Sequence, residues 1–272
     1  MTDPTQHTEE YSTLADILIR RDGPIGTVTV SNPDKYNAMT TAMWRDLPQR
    51  IAELDADPSV HVIVLTGEGD KAFVSGADIS QFERDRTDPE AQRRYADVVD
   101  AAYLAPVLAS KPVIARIRGI CMGGGLGLAA ACDIRLCSLD ARFRMPAARL
   151  GLGYKQAGVQ RFVSLIGVQN TYDIFFSARI FGAEEALRMG FVSQALEVAG
   201  LDEAVHSLAA AIAENAPLTA RAVKLTVNAV LGHQAPADAA AQGAIDACNA
   251  SEDYREGVRA FGEKRKPVFV GR

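Results

Sequence analysis

Residues 112–133 read "PVIARIRGICMGGGLGLAAACD", an apolar run followed by a glycine cluster and a stretch of leucine and alanine. The run at 112–119 is typical of a strand that is buried on both faces. Gly123, Gly124 and Gly125 then open a predicted helix, although glycine loses much conformational entropy in any regular element. The cluster therefore indicates a place where a bare backbone is needed.

A second small-residue stretch, "KAFVSGADIS" at 71–80, follows another buried run, "VHVIVLTG" at 60–67. Small residues after a strand let backbone N–H groups face a ligand, and a helix N-terminus adds free N–H groups and partial positive charge. Two such turns side by side could direct two donors at one oxygen, as in an oxyanion hole. Taken alone, the glycine cluster is also consistent with tight strand–helix packing, and it matches neither common phosphate-binding glycine motif.

The surrounding pattern predicts an α/β core. Strand-like segments at 17–23, 25–31 and 133–138 flank the two buried runs, and right-handed βα crossovers connect such strands. A helical stripe precedes the first buried run, and the proline inside it predicts a kink or a late helix start. Its residues are Met43, Leu47, Ile51 and Leu54, with Pro48.

Residues after about 200 change to alanine-rich helices bounded by prolines and glycines. The last of these, "SEDYREGVRAFGEKR", has Ser251 as a predicted N-cap and acids in its first turn. Tyr254, Val258 and Phe261 share one face of this helix.

Composition excludes several classes of protein. The chain has 272 residues, 48% of them hydrophobic, and a net charge of −5, which argues against general nucleic-acid binding. The polar N-terminus resembles neither a signal nor a transit peptide, and no apolar run reaches the length of a membrane span, so we expect a cytoplasmic protein. The cysteines form no Cys-x-x-Cys pair, so we expect buried, reduced thiols, with neither a disulfide framework nor a metal site. They are Cys121, Cys132, Cys137 and Cys248.

Four stretches together resemble the enoyl-CoA hydratase/isomerase (crotonase) superfamily: "NPDKYNAMT", "VIVLTGEGDKAFVSGADIS", "KPVIARIRGICMGGGLGLAAACDIRL" and "SEDYREGVRAFGEKRKPVF". The match runs from about residue 15 to the C-terminus. It implies an α/β, crotonase-like ββα-superhelix core that binds acyl-CoA over 13–205. Residues 206–272 would form a C-terminal α-helical region for trimerisation and for covering the CoA.

The resemblance also implies the site. The backbone N–H groups of Ala77 and Gly124 would form an oxyanion hole around the thioester carbonyl of an acyl-CoA. Other positions would shape this hole or bind the CoA: Lys35, Ser75, Gly76, Asp78, Ile79, Gly123, Phe261 and Lys264. The last of these belongs to a basic run, 264–266, that would bind phosphates or would form a solvated tail.

The CoA would arrive as part of the substrate, with no permanently bound cofactor and no metal. The family also implies a homotrimer or a hexamer built as a dimer of trimers. Val223, Val227 and Val230 share an apolar helix face that needs such burial. Neither nucleic acid nor membrane is expected as a partner.

Two positions depart from the hydratases of this family, which use two glutamates to hold, deprotonate and reprotonate one water. The first glutamate lies in a G-G-G-x-E-L-A pattern, where this chain has Gly127. The second lies in a motif like Q-P-E, where this chain has Ala147. Neither residue transfers a proton, and general acid–base catalysis contributes about 10²–10⁴-fold per group.

Several functions therefore remain open. The default assignment is an enoyl-CoA hydratase, a lyase of fatty-acid metabolism. The missing glutamates favour a sibling reaction on a CoA thioester, such as decarboxylation, double-bond shift or hydrolysis. A non-catalytic acyl-CoA-binding protein is the alternative. Tyr154 could supply a hydrogen bond or act as an acid, or it could pack on its loop. Lys155 could pair with a carboxylate or phosphate, or it and Arg149 could be ordinary surface charges.

Overall fold

The computed structural model describes residues 15–81, 88–232 and 237–272, so the predicted start of the core at residue 13 lies outside the described part. Its larger sheet has the strand order β1-β2-β3-β5-β7-β10. These strands are β1 (Asp16–Asp22), β2 (Ile25–Ser31), β3 (Val62–Gly67), β5 (Val113–Ile117), β7 (Ile134–Ser138) and β10 (Gln194–Leu196). β1 is antiparallel to β2, and each further pairing in the sheet is parallel.

The smaller sheet determines where the two small-residue turns lie. Its order is β4-β6-β8-β9. The strands are β4 (Ala72–Val74), β6 (Ile120–Met122), β8 (Arg142–Arg144) and β9 (Ile180–Gly182). β4 and β6 are parallel neighbours, with Ala72 beside Ile120 and Val74 beside Cys121. Because parallel neighbours end at the same edge, the chain leaves both strands at one place.

Helices cover both faces of the larger sheet. They are α1 (Thr41–Ala56), α2 (Pro89–Leu108), α3 (Gly124–Ala131), α4 (Ala147–Leu150), α5 (Gln156–Ser177), α6 (Ala183–Arg188), α7 (Val198–Ala213), α8 (Pro217–Val230), α9 (Ala237–Ala250) and α10 (Glu252–Glu263). Short 3₁₀ helices at Pro33–Lys35 and Ile79–Gln81 flank the first turn.

The strand β3 shows why the buried runs are apolar throughout. Ile63 and Leu65 belong to the core that includes α1 and α3, whereas Val62 and Val64 pack with α7 on the opposite face. A strand covered on both faces has no polar side, which accounts for the continuous run.

The helix α1 differs from one expectation. It begins at Thr41, where the Thr40 side chain accepts a hydrogen bond from Met43 N, so a late start at Pro48 is wrong. The buried stripe, which includes Leu47 and Ile51, packs the helix on the core along its length. Burial of this stripe outweighs the hydrogen bond that Pro48 cannot donate.

The predicted N-cap of α10 is confirmed, because Tyr254 N donates to the Ser251 hydroxyl at 2.9 Å. Across the described ranges, no helix combines the length and apolar character that crossing a bilayer requires.

Candidate active site

The two small-residue turns lie against each other. The first follows β4 and the second follows β6. A Cβ atom built on Gly76 would lie 3.6 Å from the amide nitrogen of Gly124. Gly76 and Gly123 also have φ angles of 120° and 52°, a region that favours glycine. The turns therefore meet through bare backbone.

The first turn carries a backbone N–H group with no acceptor. Met39 forms an isolated bridge with Ala77. In this bridge Met39 N donates to Gly76 O at 2.8 Å, and Asp78 N donates to Met39 O at 2.9 Å. The N–H of Ala77 lies between these bonds and donates to no atom of the described residues.

The second turn carries another such group. Gly124 is the first residue of α3, and the first N–H groups of a helix have no intrahelical acceptor. No described residue outside the helix accepts a hydrogen bond from Gly124 N either. Two adjoining turns thus each present an unused N–H donor, at the two positions that the resemblance assigns to the oxyanion hole.

The third glycine of the cluster is explained by close packing. A Cβ atom on Gly125 would lie 2.0 Å from the carbonyl oxygen of Val74. Any side chain at this position would therefore push α3 away from β4. Without this close approach Gly124 would not reach the first turn.

Three of the predicted binding residues brace the first turn. Lys35 Nζ donates to Asp78 Oδ2 at 2.8 Å and to Ser80 Oγ at 3.2 Å, and the Ser75 hydroxyl donates to the Lys35 carbonyl at 3.2 Å. Burial acts to raise the pKa of Asp78, but hydrogen bonds from Lys35 and Ser80 outweigh it and lower that pKa. Asp78 is therefore an ionised anchor for the loop, and Lys35 is half-exposed beside it.

Two other predicted positions are apolar and open to solvent. Ile79 is 70% exposed in the short helix after the first turn. Phe261 is 88% exposed on α10, which packs on α9 within this chain. Phe261 is therefore largely uncovered in the single chain.

Two cations of the basic run at 264–266 are paired with acidic side chains. Arg265 pairs with Glu256 at 2.6 Å and with Glu263, and Lys266 pairs with Glu214 at 2.7 Å. Of the three cations, Lys264 alone has no ion pair with a described residue. Acidic neighbours therefore pair with two of the three cations, and the binding of phosphates by this run stays a prediction.

The space beside Gly127 is filled by Tyr103 of α2, a residue that the sequence reasoning missed. A Cβ atom on Gly127 would lie 2.9 Å from both Cζ and Oη of Tyr103, and one on Gly124 would lie 3.4 Å from the same Oη. The ring of Trp44 packs edge-on against Tyr103, with centroids 5.7 Å apart. Burial raises the pKa of Tyr103 well above its ordinary value.

A sequence clue to Tyr103 did exist. Tyr95 and Tyr103 are eight residues apart, so they share one helical face. Both side chains are partly buried and pack against the main core. The clue identifies the face, whereas the contact with Gly127 depends on how α2 crosses α3.

The second departure from the hydratase pattern, Ala147, is buried in the core at the start of α4. Tyr154 lies before α5 with its ring edge-on to Phe175, at a centroid distance of 5.2 Å. Burial raises the pKa of Tyr154 to about 12. Tyr154 is also close enough to Tyr103 for its charge to raise the pKa of Tyr103. Tyr154 therefore both packs on its surroundings and borders the site.

The two cations near Tyr154 lie at the surface. Lys155 pairs with Asp100 and, at 3.5 Å, with Asp97, both on α2. These carboxylates raise the pKa of Lys155, with the Asp100 hydrogen bond as the largest cause. Arg149 is exposed. Lys155 thus ties the loop before α5 to α2.

A separate apolar groove, of about 720 Å³, lies at the opposite end of α3 from Gly124. It is lined by α5, α7 and α8 and includes Ala130 and Phe269, but neither turn. No group of three or more His, Cys, Asp or Glu side chains suited to a metal occurs within the described residues. The four cysteines carry free thiols.

Comparison with known proteins identifies the family. The family model for enoyl-CoA hydratase/isomerase matches residues 20–272. The chain belongs to the enoyl-CoA hydratase/isomerase family. Its predicted membership of the crotonase superfamily and its α/β fold are thereby confirmed.

Individual relatives of this family member have similar length. A short-chain-enoyl-CoA hydratase from Clostridium acetobutylicum is 33% identical over 256 residues, which cover 93% of this chain and 97% of that protein. A crotonyl-CoA hydratase from Syntrophomonas wolfei is 30% identical, covering 94% and 98%. The crystal structure of an enoyl-CoA hydratase/carnithine racemase from Magnetospirillum magneticum has a TM-score of 0.89 at 34% identity, covering 97% of this chain and 98% of that one.

Proposed function

We propose that this enzyme binds the acyl group of a CoA thioester with the thioester oxygen between the N–H groups of Ala77 and Gly124. The observation that carries the proposal is the pair of unused donors on two touching turns. Such donors stabilise the negative charge that develops on the oxygen of an enolate, at roughly 10²–10³-fold in rate per donor. The CoA is part of the substrate and not a resident cofactor.

The reaction is one that needs no water held between two carboxylates. The positions where the resemblance places the hydratase glutamates are Gly127 and Ala147, and the first of these is covered by the ring of Tyr103. Sibling reactions also place negative charge on the thioester oxygen: decarboxylation and double-bond shift form an enolate, and hydrolysis of the CoA thioester forms a tetrahedral oxyanion. Addition of water to a 2-enoyl-CoA would use the same hole but would lack the two carboxylates at these positions.

The hole can be tested by removing one donor. Ala77→Pro deletes this N–H, which donates to no described residue, so no hydrogen bond within the described part of the chain is lost. Ala77→Ser keeps the N–H and serves as the matched control. We expect turnover to fall about 10²–10³-fold in Ala77→Pro relative to Ala77→Ser. Circular dichroism and calorimetric binding of butyryl-CoA show whether the loop has stayed folded.

The reaction class is tested with a panel of crotonyl-CoA, a 3-enoyl-CoA, malonyl-CoA and methylmalonyl-CoA. Turnover of a panel member other than crotonyl-CoA, lost in Ala77→Pro, supports the proposal. If hydration of crotonyl-CoA is the main activity, the proposal that this enzyme catalyses a different reaction is wrong. Tight binding of butyryl-CoA with no turnover of any ester points to the non-catalytic alternative.

The assembly proposed for this enzyme is a homotrimer, or a hexamer of two trimers, built through residues 206–272. Val223, Val227 and Val230 on α8 are 57%, 49% and 81% exposed in the single chain, and a face of this kind calls for a partner. The free thiols support a reducing compartment such as the cytoplasm.

A further inference from the structure

The hydroxyl of Tyr103 occupies the part of the site from which the hydratase carboxylate would act. It lies 2.9 Å from a Cβ atom built on Gly127 and 3.4 Å from one built on Gly124, whose N–H is a proposed hole donor. Gly124 and Gly127 are one helical turn apart, so both face the same side of α3. A thioester whose oxygen reaches Gly124 N therefore places its α-carbon near this hydroxyl.

The hydroxyl is held in place but has no partner. The Trp44 ring packs on Tyr103 at an interplanar angle of 80°, and the side chain packs against the main core. No described residue donates to or accepts from Oη of Tyr103. The atom is not among the fully buried polar atoms that lack a partner, so it retains contact with open space. Its donor is therefore available to a ligand.

The surroundings keep this phenol protonated. Burial is the largest cause that raises the pKa of Tyr103, and Tyr154, Tyr95 and Asp100 raise it further. The charge of Arg161 acts in the opposite direction and is the smallest of these effects. A neutral phenol can donate a proton to a carbanion, but it cannot remove an α-proton or activate water.

On the basis of the proposed function, we infer that Tyr103 is the proton donor to the α-carbon of a thioester enolate, and that the substrate is an acyl-CoA with a carboxylate on that carbon. Asp100, whose charge acts on Tyr103, is paired with Lys155, so the described residues give Tyr103 no unpaired base as a companion. A donor in this setting favours an enolate formed by breaking a bond other than α-C–H. Loss of carbon dioxide forms an enolate in this way.

In the proposed step the α-carbon loses carbon dioxide and gains a proton. The bond between Cα and the carboxylate carbon breaks, and its electron pair forms the enolate, whose oxygen lies between Ala77 N and Gly124 N. Carbon dioxide leaves. The O–H bond of Tyr103 breaks as a new Cα–H bond forms, which gives the saturated acyl-CoA and a tyrosinate. The tyrosinate then takes a proton from water.

The experiment compares the wild type with Tyr103→Phe, which removes only the hydroxyl. Tyr172→Phe is the control, because Tyr172 is 55% exposed on α5 and stacks on Phe176. Tyr154→Phe tests the neighbouring phenol as an alternative donor. Each protein is assayed with malonyl-CoA and methylmalonyl-CoA in deuterium oxide, and butyryl-CoA binding is measured by calorimetry.

We expect Tyr103→Phe to bind butyryl-CoA within twofold of the wild type while kcat for decarboxylation falls about 10²–10⁴-fold, the usual contribution of a general acid. The wild type should place one deuterium on the α-carbon of propionyl-CoA in a single configuration. Tyr103→Phe should give both configurations, because water then supplies the proton. A merely structural role would not change this stereochemistry.

Three results would overturn the inference. The first is wild-type decarboxylation with Tyr103→Phe unimpaired, and the second is loss of the single configuration in Tyr154→Phe but not in Tyr103→Phe. The third is wild-type protein that binds butyryl-CoA but leaves both carboxylated esters unchanged. Failure of the proposed function looks different, since then butyryl-CoA does not bind or Ala77→Pro has no effect.

Discussion

Gly127→Ala tests the contact on which the site depends. The added methyl group would lie 2.9 Å from Cζ and Oη of Tyr103 and 3.2 Å from its Cε1. Because these atoms belong to a rigid ring packed on Trp44, the ring cannot yield by a simple rotation about its own axis. Either Tyr103 or α3 has to move.

The size of the effect follows from two opposing contributions. Alanine gains about 0.5–1 kcal/mol over glycine within a helix. Overpacking a well-packed core costs about 1–3 kcal/mol. Gly243→Ala supplies the first contribution without the second, because Gly243 lies within α9 and a Cβ atom there meets nothing within 4 Å. The difference between the free energies of unfolding of the two variants isolates the cost of overpacking. We therefore expect Gly127→Ala to be less stable than Gly243→Ala by about 1–3 kcal/mol.

Urea denaturation at fixed protein concentration measures this difference, and fixed concentration removes any contribution from assembly. Tyr103→Leu combined with Gly127→Ala should recover much of the loss, which a double-mutant cycle reports as a coupling energy. Equal stability of Gly127→Ala and Gly243→Ala would refute the close approach of Tyr103 to Gly127. So would a cycle with no coupling.

Three further outcomes are expected. Gly125→Ala places a methyl group 2.0 Å from the carbonyl oxygen of Val74, and we expect a loss above about 3 kcal/mol in urea denaturation; an unchanged midpoint would contradict the strand–helix contact. Glu256 has its pKa lowered to about 2, mainly by the Arg265 hydrogen bond, so its stabilising contribution is complete above the ordinary glutamate pKa of about 4.3 and is lost as the pH falls towards 2. The urea midpoint of Glu256→Gln should therefore change less than that of the wild type between pH 5 and pH 3, and parallel curves would count against this pairing. Val230→Lys puts a charge on the exposed face of α8 and should reduce the mass found by light scattering, whereas a wild type that is itself monomeric would rule out the proposed trimer.

The sequence predicted the two turns because each required only local information. A buried apolar run followed by small residues can be recognised in the amino-acid sequence, and Gly76 and Gly123 do adopt the positive φ angles that such turns use. The sequence did not reveal β4 and β6, since strands of three residues are too short for a clear period. Their pairing is what brings the turns into contact.

What the sequence did not reveal are contacts between distant parts of the chain. The ion pair of Lys266 was not visible because Glu214, its partner, lies on the turn that ends α7, about fifty residues earlier. Tyr103 was missed for the same reason, since its contact with Gly127 joins two helices whose crossing no periodicity specifies. Charge pairing and helix crossing are tertiary properties, and a one-dimensional pattern contains neither.

The pair Gly127 and Tyr103 also bears on whether this site has been lost or altered. A side chain at 127 and a tyrosine ring at 103 require the same space. The tyrosine ring therefore fits only because residue 127 is glycine. A phenylalanine would fill that space equally well and would leave no polar atom without a partner. The tyrosine hydroxyl keeps contact with open space, so it is free to donate to a ligand. A site that had merely lost its chemistry would have no use for that hydroxyl beside two unused N–H donors. The arrangement therefore favours a changed reaction over an abandoned one.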